Sequence, residues 1–130
     1  YDNKGNVIEY FPRGGVLTVI IWGYNQQYPI AKIEGARYSE VEPYVANLQN
    51  LSNTNNQSGL LSALSGLRSN LPQAMVTTYT YQPLVGVTSV TAPNGLTEYY
   101  TYDSAGRLQE IKDAEGKLLQ SLEYKYKTQN

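Results

Sequence analysis

In "KLLQSLEYKYK" (Lys117 to Lys127) the even positions Leu118, Leu122, Tyr124 and Tyr126 are apolar or aromatic, with Gln120 the exception. The odd positions are mostly polar: Lys117, Ser121, Glu123, Lys125 and Lys127. Period two predicts a strand with one face on a core and one in water. "GVLTVIIWGY" (Gly15 to Tyr24) is apolar on both faces, which places it centrally in a sheet, covered on each side. "YPIAKIEGA" from Tyr28, "AMVTTYTYQ" from Ala74 and "LTEYYTYD" from Leu96 read as further strands. The pattern predicts about eight strands, joined mostly as hairpins.

The breaks in the pattern have their own chemistry. Asp2-Asn3-Lys4-Gly5, Asp103-Ser104-Ala105-Gly106 and Asp113-Ala114-Glu115-Gly116 fit type I turns. The leading Asp can accept from the backbone two residues on, and the closing Gly supplies positive φ. Phe11-Pro12-Arg13-Gly14 and Ala92-Pro93-Asn94-Gly95 fit the same turn with Pro second. The spacing of these turns is that of one strand plus one turn.

The middle of the chain changes period. Val41, Tyr44, Val45, Leu48 and Leu51 share one face of a helix. Ser39 and Glu42 form a capping-box pattern, and Pro43 suits only a first turn, so the helix should start between Ser39 and Glu42. "SNTNNQSG" (Ser52 to Gly59) reads as a polar linker. A second helix follows from Ser58 to Asn70, carrying Leu60, Leu64, Leu67 and Leu71, widened by Leu61 and Ala63 and stopped by Pro72. Helices this short need a surface to dock on. The expected fold class is α+β, one domain: a twisted antiparallel β-sheet of hairpin repeats with an inserted two-helix hairpin packed on one face. Residues 1–36 supply N-terminal strands, 37–73 the insertion and 74–130 the C-terminal hairpins.

Composition narrows the chemistry. The 130 residues contain no cysteine and no histidine, which removes disulfides, thiolate catalysis, His-based triads and the usual zinc sites. No cofactor, metal or catalytic residue is expected. The net charge of −1 offers no basic field for nucleic acid, and no apolar run is long enough to span a bilayer. The chain opens on "YDNKG", without Met or a signal peptide's apolar stretch, as a fragment would. Tyrosine is the outlier, with 13 against one Phe and one Trp; it suits strands and half-buried sheet faces.

"TYDSAGRLQEIKDAEGKLLQSLEYKY" resembles the YD repeat, also called the Rhs repeat. Its pattern is Tyr-Asp-x-x-Gly-Arg-Leu, then Asp-x-x-Gly, then a closing Tyr. Tyr102, Asp103, Gly106, Arg107, Leu108, Asp113, Gly116 and Tyr124 carry the likeness. "TYQPLVGVTSVTAPNGLTEYYTYD" is similar to the preceding repeat in degraded form, and "YDNKGNVIEY" starts an earlier one. "IWGYNQQYPIAKIEGA" resembles the C-terminal region of YD-repeat proteins from Bacteroidetes. The resemblance implies a non-enzymatic structural or interaction module in a cell-envelope or secreted protein. Its partners would be upstream YD repeats of the same polypeptide, with self-association through an exposed sheet edge. In larger relatives many repeats enclose a toxin. This chain has too few repeats to close a shell and lacks the Asp-Pro-x-Gly motif of self-cleaving relatives, so toxin delivery does not carry over.

The alternative is a carbohydrate-binding module contacting a glycan through Trp22, Tyr24, Asn25 and Tyr28 in "WGYNQQYP". Tyr79, Tyr81, Tyr99, Tyr100, Tyr102, Tyr124 and Tyr126 would add an aromatic surface. Cross-strand packing is the simpler use of strand tyrosines, and a lone Trp closing an apolar strand suits a core. Asp103 and Asp113 as a catalytic or calcium-binding pair would need a cleft; turn capping accounts for both.

Overall fold

The computed structural model describes residues 1–121. Among these, eight antiparallel strands form one sheet in chain order: β1 (Glu9–Tyr10), β2 (Thr18–Gly23), β3 (Tyr28–Glu34), β4 (Met75–Gln82), β5 (Gly86–Thr91), β6 (Thr97–Tyr102), β7 (Leu108–Asp113) and β8 (Leu118–Ser121). Two helices, α1 (Tyr38–Asn53) and α2 (Gln57–Asn70), are inserted between β3 and β4, which still pair directly with each other. The fold is α+β, as the pattern predicted. Leu122, Tyr124 and Tyr126 of the alternating run, and the closing Tyr124 of the repeat, lie outside the described residues.

The core forms where the helical hairpin covers the first half of the sheet. Val19 and Ile21 of β2, Ile33 of β3 and Val76 of β4 are buried beneath Val41 and Leu48 of α1 and Leu60, Leu64 and Leu67 of α2. The leucine spacing of α2 is therefore a packed stripe. β5 changes character. Opposite β4 it places Ser89 against Thr80 and Thr91 against Thr78, all buried, so hydroxyl pairs replace apolar ones where the core ends. Beyond it, β6 to β8 carry no fully buried residue among those described.

Four expectations are corrected. β2 is not central: it lies beside the two-residue edge strand β1. Its apolar second face is only half-buried, with Ile20 and Trp22 partly exposed. The capping pair of α1 is Arg37 and Glu40, not Ser39 and Glu42. Glu40 Oε1 accepts the Arg37 N–H at 2.9 Å, and Glu9 Oε2 accepts the Tyr38 N–H at 2.7 Å. A carboxylate from β1 thus satisfies a donor that the helix start leaves open, which no local pattern announces. Pro43 then falls in the second turn. The turn read from Phe11 closes one residue later, with the Gly15 N–H donating to Pro12 O at 3.0 Å. Leu118 does not face a core; it and Leu119 are each 48% exposed, because no helix reaches β8.

The Asp turns hold as read, with an added bond. In each, the Gly N–H donates to the Asp carbonyl: Gly5 to Asp2, Gly106 to Asp103, Gly116 to Asp113. Asp103 Oδ1 accepts the N–H of Ala105 at 2.9 Å and of Arg107 at 3.0 Å. Asp113 repeats this with Glu115 and Lys117, and Asp2 with Lys4 and Asn6. Gly106 sits at φ 80 with nothing within 4 Å of a Cβ built there. Gly106→Val therefore meets backbone strain without a clash, and should cost about 1 kcal/mol or more. An unchanged melting temperature would refute the positive-φ requirement.

Candidate functional site

The β2–β3 turn is the most strained segment described. Tyr24, Asn25 and Gln26 have φ of 53, 59 and 62, a left-handed run of three residues none of which is glycine. Such conformations cost on the order of 1–2 kcal/mol per residue, so the surroundings must hold them. On one side, Ser52 Oγ accepts the Tyr24 N–H at 2.9 Å, and Asn53 Oδ1 accepts the Asn25 N–H at 2.6 Å. On the other, Lys4 Nζ donates to Asn25 O and Asn6 Nδ2 to Gln26 O, while Gln26 Nε2 donates to Asp2 Oδ2. The end of α1 and the first Asp turn clamp the loop between them.

Asp2 is tuned by the same clamp. Desolvation pushes its carboxyl up, but bonds from the Asn6 backbone and side chain, the Lys4 N–H and Gln26 outweigh that and hold it below the ordinary range.

Beneath the loop three tyrosines pack together. Tyr28 stacks on Tyr81 with ring centroids 4.9 Å apart, and Tyr24 meets both edge-on at 5.9 and 5.6 Å. The Tyr24 hydroxyl accepts the Tyr81 N–H at 2.9 Å, and the Tyr28 hydroxyl accepts the Leu84 N–H at 3.3 Å. Burial, followed by the charges that Tyr79, Tyr24 and Tyr28 would carry, pushes the Tyr81 hydroxyl up to about 12. Burial also raises Tyr24, partly opposed by the bond from the Tyr81 N–H.

A stability prediction follows for base. A raised folded-state value means that the fold favours neutral tyrosine. The stabilisation is complete below the ordinary value of 10.0 and is lost as pH rises towards 12. Tyrosinate absorbance should show a late step that disappears in Tyr81→Phe. Titration of every tyrosine together with the fold intact would contradict the buried stack.

The outer wall of this cluster encloses a cavity of about 130 Å³ lined by Tyr24, Asn25, Gln27, Tyr28, Ser52, Asn53, Asn55 and Pro83. Tyr24, Asn25 and Tyr28, chosen from the sequence, therefore meet at one place. Trp22 stands apart: its Nε1–H donates to Val7 O at 2.8 Å, and it borders a different cavity with Ile8, Tyr38 and Gln49. Sequence reading missed Gln27, Ser52, Asn53, Asn55 and Pro83. The helices are separated by only residues 54–56, not by the eight-residue linker expected. Ser52 is buried inside α1, Asn55 has φ 56 and Asn56 Oδ1 caps α2 through the Gly59 N–H. The available signal was the Asn and Ser richness of that segment, which marks caps and left-handed positions as readily as flexible linkers.

The lining is amide, hydroxyl and aromatic, with no ionisable acid or base apart from tyrosine. It can hydrogen-bond a neutral polar ligand against a ring; it has no nucleophile and general base in contact. No cluster of three metal-ligating side chains occurs among the described residues.

The repeat-motif residues make a separate, structural constellation. Arg107 Nε donates to Asp103 Oδ2 at 3.0 Å. The Arg107 N–H, then the Ala105 N–H and the guanidinium charge, hold the Asp103 carboxyl below the usual range despite slight desolvation. The Tyr102 hydroxyl donates to Val87 O at 2.7 Å, bridging β6 to the start of β5.

Two successive hairpins of the one sheet, β6–β7 and β7–β8, are closed by the same Asp turn, which marks a β-hairpin repeat. The repeat is of a known kind: residues 85–118 match the family model described as RHS Repeat. The match takes in β5, β6 and β7 and ends at the first residue of β8. No curated protein matches the chain. No helix among the described residues is long and apolar enough to cross a membrane, which leaves β-barrels unaddressed.

Proposed function

We propose that the chain is a non-enzymatic structural and interaction module of a YD-repeat protein, in the cell envelope or secreted, ending an array of the kind found in Bacteroidetes. The observation that supports this reading is the division of the sheet. β2 to β4 are anchored by the helical hairpin, whereas β6 to β8 continue as a single layer with Leu96 mostly exposed and Leu118 and Leu119 each nearly half exposed. A sheet with unpaired edge groups can take another strand, and upstream YD repeats of the same polypeptide are the partners of matching geometry. A second copy is the next.

Sedimentation across a concentration series, with hydrogen exchange at Leu118 to Ser121, tests the edge. Slowed exchange at β8 that tracks a concentration-dependent dimer supports it. A monomer whose β8 amides exchange freely at every concentration removes self-association.

The second reading is a carbohydrate-binding module, favoured by the cavity where Tyr24, Asn25 and Tyr28 converge. A glycan panel followed by titration of the single Trp decides it. A saturable, sugar-specific response that Tyr28→Ala abolishes would replace the structural reading; a folded protein with no response would retire the glycan.

A further inference from the structure

On the same face as the helices, α2 places a charge where the sheet supplies no opposite charge for it. Arg68, in the last turn of α2, extends over β4 and β5. Its Nη2 donates to Val76 O at 3.2 Å, to Thr78 Oγ1 at 3.1 Å and to Thr91 O at 3.5 Å. Its Nε–H is buried and meets no acceptor in the protein. Ion pairs are formed elsewhere among the described residues, between Arg107 and Asp103 and between Lys112 and Glu110, but none involves Arg68. Carbonyl and hydroxyl dipoles, together with the carboxyl end of α2, partly offset the charge. They do not satisfy Nε, and an unmet buried donor is costly.

Beside Arg68 lies a cavity of about 170 Å³, bounded by Thr78, Thr91, Thr97 and Tyr99 of the sheet and by Leu61 and Ser65 of α2. The Thr91 and Thr97 hydroxyls bond each other at 2.8 Å, which leaves each with further hydrogen-bonding capacity. The cavity is smaller than the roughly 300 Å³ at which drug-sized sites begin. It joins one guanidinium, a floor of hydroxyls and an aromatic edge. A carboxylate supplies what the guanidinium lacks among the described residues, a negative charge beside it. A short hydroxylated body would meet the threonines. We propose that this cavity is a binding site for a small carboxylate, with sugar acids the class that its lining suits.

The test is a nuclear magnetic resonance titration of the whole chain, following the Arg68 Nε–H signal and the amides of Thr91, Gly95, Thr97 and Tyr99. Four probes are used: glucuronate, acetate, glucose and inorganic phosphate. Glucuronate should move these signals saturably, acetate should move the same set, and glucose should move none. Arg68→Gln should weaken the carboxylate response by about tenfold or more. Thr97→Val keeps the guanidinium and should bring glucuronate down to the strength of acetate, which covers the case in which Arg68→Gln does not fold. Saturation by either carboxylate at these signals supports the site. Silence of Arg68 Nε–H towards both acids overturns it, as does an equal response to glucose. Phosphate binding as tightly as acetate would make it a general anion contact and overturn the carboxylate assignment. A shift that follows protein concentration with no acid added would name an acidic side chain of a second copy instead, and would also overturn it.

Discussion

Leu64→Ala should lower the unfolding free energy by about 3 kcal/mol. Leu64 is 1% exposed and belongs to the cluster that joins α2 to the sheet. Two costs combine there: the transfer free energy of the lost atoms, and the cavity left under a helix pinned at both ends. Asn56 caps its start, and Arg68 ties its last turn to Val76 and Thr78, so collapse into the gap is restricted. A domain of this size has roughly 5–15 kcal/mol in total, and the variant should show a clearly lower urea midpoint at unchanged slope. Leu119→Ala is the contrasting case. It removes the same atoms from a half-exposed strand and should stay within about 0.5 kcal/mol. A near-neutral Leu64→Ala would mean that α2 does not pack on the sheet. A costly Leu119→Ala would mean that something covers β8 in solution.

These two leucines also show what could be read from the sequence. Leu64 was legible because spacing alone puts Leu60, Leu64 and Leu67 on one helical face, and burial of that face is the only way so short a helix persists. The Asp turns were legible because their chemistry is local: an Asp oxygen reaching its own backbone, and a glycine at positive φ. Leu118 was misjudged because alternation gives the period of a strand but not whether a layer lies over it. Ser52 was misjudged for the converse reason. A serine among asparagines reads as solvent-facing, yet its hydroxyl accepts from Tyr24, 28 residues away in sequence. Glu9 capping α1 and Arg68 crossing to β5 are likewise long-range pairings, fixed only when the insertion docks. The candidate cavity was half legible. Its aromatic residues stood in one segment with Asn25 and Gln27, while Ser52, Asn53 and Asn55 came from a stretch read as linker.

Gly86→Ala should cost about 2 kcal/mol, and the reason explains the tyrosine that precedes Asp103. A Cβ at Gly86 would lie 2.8 Å from Tyr102 Cζ and 3.2 Å from its Cε2, and against its hydroxyl. Tyr102 opens one repeat, and its ring lies over the first residue of β5 while its hydroxyl bonds Val87 O. The tyrosine thus ties β6 to the beginning of β5, and a glycine there gives the ring room. Gly86 has φ 159, a backbone conformation that residues with a side chain rarely adopt, so alanine carries strain there as well as a clash. Overpacking against a fixed ring costs about 1–3 kcal/mol, and a displaced Tyr102 forfeits a hydrogen bond worth about 1 kcal/mol more. A double-mutant cycle isolates the cause. With Tyr102→Ala already in place, Gly86→Ala should keep only the backbone part of its cost, a coupling of about 1–2 kcal/mol read from urea midpoints. An equal cost in both backgrounds would shift the explanation from the ring to the backbone of the β4–β5 turn. Tyr102 would then be an ordinary strand residue rather than the tie between neighbouring hairpins.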